Sequence, residues 1–448
     1  MSDKLELESI SQIEPAQKSL DFEKSEKPIL GFKPNVFFLG IVSLLNDAAS
    51  EIIYPLVPMF LKTVFKTQFG IFLGIIEGIA EGTASLMKLA SGWYSDKIKK
   101  NKVFVIAGYS ISAFLRPLLG LAHFINSWLY VLGIRFSDRV GKGVRTAPRD
   151  ALIANSISAD ERGKSFGFHR AMDHFGAVLG GLIAFGLIML FRIKEPSSLW
   201  WIFLFALIPG IISLYFILVK IKDAPQGALK ENIKSNIYNE AEISAPLSNF
   251  NSHFKIYLLV LALFTLGNSS DMFLLAKISD IEGFWYKVPL VWAVFHIIKS
   301  ALSTPAGMLS DKIGRKGMIV PGWLIYSAIY FGFAFARSAQ AAWVLFMLYA
   351  VYYAMTEGVA KALVSDLTPK ESQGTAFGWF HFVEGITLIP ASIIFGALYN
   401  WSPKFAFSFG ASLALAASIL LIIFVPGRIV PATAVNPDTI REDTRQNL

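Results

Sequence analysis

Cysteine is absent from all 448 residues, so disulfides, thiolate metal sites and a thiol nucleophile are excluded. Charge is scarce as well: Asp, Glu, Lys and Arg make up 17% of the chain, where a soluble domain carries roughly a quarter. No Gly-x4-Gly-Lys-Ser/Thr loop occurs, so a phosphate cradle of that kind does not let ATP drive the protein directly. Residues 1–31 are polar and mixed in charge (Glu6, Glu8, Lys18, Glu23, Lys24, Lys27). They lack the basic-then-apolar order of a cleavable secretion signal and are expected to be a disordered cytoplasmic tail. No cofactor and no bound metal are expected.

What the chain has in excess is apolar sequence. Hydrophobic residues reach 54% and mean hydropathy is +0.51. Long apolar runs lie near 36–60, 70–92, 103–124, 128–153, 165–190 and 199–220. A second set lies near 255–276, 287–308, 318–337, 341–364, 375–398 and 404–426. Most have the ~20 residues that a bilayer core requires, so the lipid bilayer is the solvent. The expected fold is an all-α membrane protein with twelve transmembrane helices in two parallel six-helix repeats. The expected division is a tail at 1–31, bundles at 32–221 and 255–428, a cytoplasmic linker at 222–254 and a tail at 429–448.

The net charge of +8 could suggest nucleic acid, but the positive residues sit mainly in short loops between apolar segments. Lys97, Lys99, Lys100, Lys102, Arg149, Arg162, Lys164, Lys312, Arg315 and Lys316 follow segments two, four and eight. The opposite loops hold fewer, such as Lys62, Lys66, Arg192, Lys194 and Lys404. Positive loops stay in the cytoplasm, so both termini and the linker are expected there, with no nucleic-acid partner.

One motif occurs twice, 215 residues apart: Gly92-Trp-Tyr-Ser95-Asp96-Lys97-Ile98 and Gly307-Met-Leu-Ser310-Asp311-Lys312-Ile313. Each copy closes an apolar stretch and opens a basic loop. At ~36 residues per helix and loop, the interval holds about six crossings, so both copies face the same side. Gly143-Val144 matches Gly358-Val359 at the same offset, and Gly163-Lys-Ser-Phe166-Gly167 matches Gly374-Thr-Ala-Phe377-Gly378 after a loss of four residues. Asp173 then falls opposite Glu384. Parallel halves around a central axis describe a carrier that rocks between two openings.

These residues resemble the major facilitator superfamily, whose loop motif runs Gly-x-Leu-Ala-Asp-Arg-x-Gly-Arg-Lys. Gly307, Leu309, Asp311, Lys312, Gly314, Arg315 and Lys316 follow it closely. The first copy keeps Gly92, Asp96, Lys97 and Lys100 but has Tyr94 for the leucine and Lys99 for the turn glycine. Arg139-Val-Gly-Lys142-Gly143 resembles the family's Arg-x-x-Gln-Gly. Gly176-Ala-Val-Leu-Gly180-Gly181 stands where antiporter members have Gly-Pro, without the proline. The run from Asp138 to Asp150, with Phe166-Gly-Phe-His-Arg170, is similar to a prokaryotic branch of undefined substrates. The resemblance covers 32–428 and implies an integral protein of a prokaryotic inner membrane, a monomer taking a small-molecule substrate. It also implies a gate in which Asp96 latches near Arg139, with Gly92, Lys97, Gly307, Asp311 and Arg315 in the same device.

A charge inside a bilayer costs at least ~2.5 kcal/mol, so each embedded one needs a reason. Segment four holds Arg135, Asp138, Arg139, Lys142, Arg145, Arg149 and Asp150, all within an arc of about 140°. Segment two sets Glu77, Glu81 and Lys88 within about 40°. Segment one carries Asn46, Asp47 and Glu51, segment seven Asn268 and Asp271, and segment three Arg116 before Pro117. His296 and Lys299 lie in segment eight, Glu357 and Lys361 in segment ten. A carboxyl group against apolar walls can exchange protons near neutrality, as proton coupling requires. The plainer alternative is a set of structural ion pairs one helical turn apart, such as Asp138–Lys142 or Glu357–Lys361. Arg145, Arg149 and Asp150 could equally form a solvated helix end.

His169 and Asp173 share a face, while His174 points about 140° away from His169, so no local metal site forms and catalysis is not expected. Asp138, Asp173 and Glu384 read as structural or gating. The function expected is secondary active transport of a small organic solute by alternating access, coupled to protons as symport or antiport. Basic residues of segments three and four favour an anionic or zwitterionic substrate. Two alternatives stand beside it: efflux of drugs or of a metal ion, the latter needing Asp47, Asp271 and a histidine at one point, and a membrane-embedded enzyme or sensor.

Overall fold

The structure is a computed structural model that describes residues 27–98, 100–157, 161–223, 247–281, 285–369 and 372–426. Ten helical runs are long and apolar enough to cross a bilayer. The first of them, Pro34–Lys88, holds two crossings, and Trp128–Asn155, 28 residues long but rich in charge, is a further one. Twelve crossings result among the described residues. Residues 1–26 of the expected first tail, the whole of the expected second tail and most of the expected linker lie outside the described residues.

Segment one runs Pro34–Ile53, tightens at Tyr54–Leu56 and continues as Val57–Phe65. Segment two is Phe69–Ile98, segment three Asn101–Leu115 extended by Arg116–Leu121 and Ala122–Ile125, and segment four Trp128–Asn155. Segment five is Arg162–Leu190, and segment six joins Pro196–Ala206 to Leu207–Lys220. Segment seven is split into Ser252–Gly267 and Met272–Ser279. Val288–Ile313, Arg315–Phe335, Ala339–Leu367, Gln373–Trp401 and Pro403–Phe424 are segments eight to twelve.

Local chemistry explains the ends. Pro34, Pro289 and Pro403 sit in first turns, where a missing N–H costs nothing. Asn251 and Ser338 cap segments seven and ten by accepting from Phe254 N and Ala341 N. Gly314 turns segment eight into segment nine at φ +88°, a backbone region that disfavours any side chain. Its counterpart in the first motif copy, Lys99, is outside the described residues. Segments one and seven break at matching places: Tyr54 plus the 215-residue repeat offset falls at Ser269, inside the gap after Gly267. Irregular backbone at membrane depth is tolerated where it is buried or lines a cavity.

The two halves meet through segments two and eleven and through segments five and eight. Gly70, Gly74, Gly78 and Gly82 recur every four residues on segment two and lie against Gly396, Ser392, Ile389 and Gly385. A Cβ on Gly70 would stand 2.7 Å from the Gly396 carbonyl, and one on Gly78 2.8 Å from that of Ile389. Gly181 does the same against Pro289, at 2.8 Å. With lipid as the alternative solvent, such close approach holds helices together by packing. All these contacts lie toward the end opposite the basic loops. Toward the basic-loop end Leu86, Phe382 and Ile386 are exposed, and Gly167, Gly307 and Gly378 have open space beside them. The seam is closed at one end and parted at the other.

Candidate functional site

Segment four forms the charged wall. Gly143 lets it approach Met87 of segment two, and Gly141 faces Gly108 of segment three. Ser91 donates to the Gly143 carbonyl at 2.8 Å. At this range the stripe of charges finds its partners on neighbouring helices. Arg135 grips Glu77 with two bonds of 2.8 Å, both residues being buried. Arg116 donates to Asp138 Oδ1 at 3.1 and 2.9 Å and to the Asn46 carbonyl at 3.3 Å. Arg139 pairs with Glu81 at 2.6 Å and lies 4.0 Å from Asp138.

The intrahelical pairs weighed from sequence, Asp138–Lys142 and Glu357–Lys361, are therefore replaced by pairs between helices. The reason is tertiary approach, which brings Arg116 to Asp138 and both Arg170 and Lys299 to Glu357. Arg145 is also no solvated helix end, at 4% exposed. It donates to Ser112 Oγ at 2.6 Å and lies 4.6 Å from the Tyr109 ring centroid. Arg149 holds Asp150 at 2.8 Å. Lys142 has no hydrogen bond or ion pair among the described residues; its neighbouring opposite charges are the Glu81 and Asp47 carboxylates. A small pocket nearby is lined by Ser50, Tyr54, Arg116, Arg135 and Asp138, among others.

Segment one faces the seam. Asp47 accepts from Asn46 at 3.0 Å. Glu51 accepts from the Trp292 indole of the other half at 2.7 Å, and no cation forms an ion pair with it among the described residues. Ser270, in the break of segment seven, reaches across to Glu77 at 3.4 Å. Asp271 beside it accepts from Tyr349 at 2.6 Å and lies 3.2 Å from the Tyr353 hydroxyl. Glu357 takes Arg170 of the opposite half at 2.7 Å and Lys299 at 2.8 Å. His296 stands 6.1 Å from His174 between ring centroids, and both its ring nitrogens are buried without a hydrogen-bond partner among the described residues.

The other residues singled out from sequence lie away from this centre or outside it. Asp173 accepts from Ser43 and lies 3.6 Å from His169. Glu384 pairs with His381 at 3.2 Å. Asp311 pairs with Arg315, which also donates to Ser310 Oγ at 2.6 Å and approaches Asp366 at 3.3 Å. The side chains of Gly92, Asp96 and Lys97 lie outside the described residues, so the Asp96–Arg139 latch has no described geometry. Among the described residues, no three His, Asp or Glu side chains are grouped closely enough to hold a metal ion.

Four features were not read from the sequence. The glycine seam left a signal in the four-residue spacing from Gly70 to Gly82. The Trp292–Glu51 and Ser270–Glu77 contacts left none, since each joins residues about two hundred positions apart. The same holds for Lys62, which at the closed end pairs with Asp280 and donates to the Ala276 carbonyl at 3.0 Å. The tyrosines around Asp271 are visible only as a cluster, Tyr349, Tyr352 and Tyr353, with no hint that they face a carboxylate.

Comparison with known proteins agrees with this architecture. The family model described as Major Facilitator Superfamily matches residues 39–388 and 288–441. A protein described as an uncharacterized MFS-type transporter of Methanocaldococcus jannaschii is 36% identical over 397 residues, covering 87% of this chain and 94% of the relative. Among solved structures, a D-xylose–proton symporter superposes with a TM-score of 0.70 at 16% identity, covering 88% of this chain and 98% of its own. The nucleoside transporter NupG does so with a TM-score of 0.66 at 12% identity, covering 87% and 98%.

Proposed function

The chain belongs to the Major Facilitator Superfamily, and from that premise we propose a secondary active carrier of a small organic solute, coupled to protons. The observation that carries this reading is Glu51. Its carboxylate belongs to one half, and its described partner, the Trp292 indole, belongs to the other. A bare carboxylate at this depth calls for a counter-charge, and a proton is the one such a group can take and release. Gain or loss of that proton changes a bond that joins the halves, so protonation and rocking become one equilibrium.

Lys142 supports the preference for an anionic or zwitterionic substrate, because the neighbouring guanidinium groups are occupied by Glu77, Glu81 and Asp138. The open end of the seam is the end of the basic loops, which the positive-inside rule assigns to the cytoplasm. The same reading takes the bundles at 32–221 and 255–428 as the rocking bodies, working as a monomer in a prokaryotic inner membrane with both termini cytoplasmic. Proteoliposomes with an imposed pH gradient test it. Candidate organic acids and amino acids should accumulate against their own gradient only while the pH gradient lasts. Flux that is indifferent to pH for every solute transported would remove the coupling.

A further inference from the structure

The break at Asn268–Asp271 sets one carboxylate into an aromatic wall. Tyr349 donates to Asp271 Oδ1, and the Tyr353 hydroxyl lies 3.2 Å from both carboxylate oxygens. A hydroxyl owns one proton and a carboxylate offers about four acceptor positions, so Oδ2 keeps room for a further donor. No lysine or arginine pairs with Asp271 among the described residues, and the residue is half-buried rather than sealed in. Its neighbour Ser270 touches Glu77 of the opposite half, which puts Asp271 at the seam where a solute would pass.

Aromatic faces surround that carboxylate. Tyr349 and Tyr352 each stand 5.1 Å from the Tyr353 ring, and Phe295 stands 5.8 Å from it. Lys299 Nζ lies 4.3 Å from the Tyr353 centroid, so an ammonium already rests on one ring of this wall. A carboxylate beside electron-rich ring faces is the chemistry that recognises an organic ammonium ion.

We propose that Asp271, Tyr349 and Tyr353 form a subsite for a protonated amine or quaternary ammonium group of the transported solute. The proposal rests on the carrier reading and narrows it. With Lys142 in one half and Asp271 in the other each outside any ion pair among the described residues, the solute is a zwitterion whose positive end faces the second half.

Choline and its neutral isostere 3,3-dimethylbutan-1-ol test the charge requirement on the purified full-length protein, read by tryptophan fluorescence and by calorimetry. Choline should bind about tenfold tighter or more, as expected for a desolvated cation on aromatic faces. Asp271→Asn should abolish the difference, and Tyr353→Leu should shrink it by several-fold. If Asp271→Asn does not fold, the wild-type comparison and Tyr353→Leu decide. Equal binding of the two probes, or no saturable binding of choline, overturns the subsite even where solute flux is normal. Choline binding without flux for any solute keeps the subsite and sinks the carrier reading.

Discussion

The two halves share a helix plan and differ in what they bury. The first half encloses Glu77, Arg116, Arg135, Asp138, Arg139 and Arg145, whereas the buried polar residues of the second, among those described, are serines and threonines. In place of buried ion pairs the second half has rings: Tyr326 stacks on Tyr330 at 4.2 Å, Phe264 on Trp323 at 4.2 Å, and Tyr349 on Tyr352. The repeat offset makes the contrast specific. Lys142 falls opposite Glu357, Asp138 opposite Tyr353 and Glu77 opposite Trp292. A duplicated scaffold can thus keep its backbone while one copy holds fixed charge and the other polarisable, neutral surface. The division of labour is electrostatic in one half and aromatic in the other.

The largest effect that would break this comparison is on stability. Glu77→Ala strands Arg135 in the first half, and losing one member of a buried pair costs about 3–5 kcal/mol. Thermal unfolding in detergent should show a large drop, mostly restored in the double variant Glu77→Leu with Arg135→Met. An unchanged midpoint for Glu77→Ala would mean that the pair is solvated.

Next comes transport through the charged wall. Lys142→Met should leave unfolding nearly unchanged, since no described partner is lost, while uptake falls about tenfold or more, the worth of one charge-assisted bond to substrate. Normal uptake would move the anion site elsewhere. A more selective change is expected from Glu51→Gln, whose amide oxygen can still accept from Trp292. Exchange of solute across the membrane should persist, and accumulation driven by a pH gradient should fail. Retained accumulation would assign the proton to another group.

The smallest effect belongs to the aromatic half. Tyr257→Phe, in segment seven, removes a buried hydroxyl that has no partner among the described residues, so stability should hold or rise by up to ~1 kcal/mol. A loss of several kcal/mol would reveal a hydrogen bond that the geometry does not show.

Much of the fold was legible because bilayer depth fixes segment length and the repeated motif fixes the phase of the halves. The charged stripe of segment four was legible too, since period and composition alone put Arg135, Asp138 and Arg139 on one face. Which charges pair was not. Local spacing suggested Asp138–Lys142, whereas Arg116 won Asp138 through tertiary approach made possible by Gly108 and Gly141. Asp271 was visible as an embedded charge, but its tyrosine donors come from another helix of the same half. Periodicity carries no information about such distant contacts.

Distances between introduced spin labels test the rocking of the two halves most directly, and the absence of cysteine means that no native thiol interferes. Gly167→Cys with Met308→Cys reports the open end of the seam, where both positions are unobstructed. Lys66→Cys with Trp401→Cys reports the closed end, where both are exposed. In proteoliposomes that transport solute, the first distance should shorten in the population in which the second lengthens. Two distances that stay fixed during transport, or that lengthen and shorten together, would contradict alternating access.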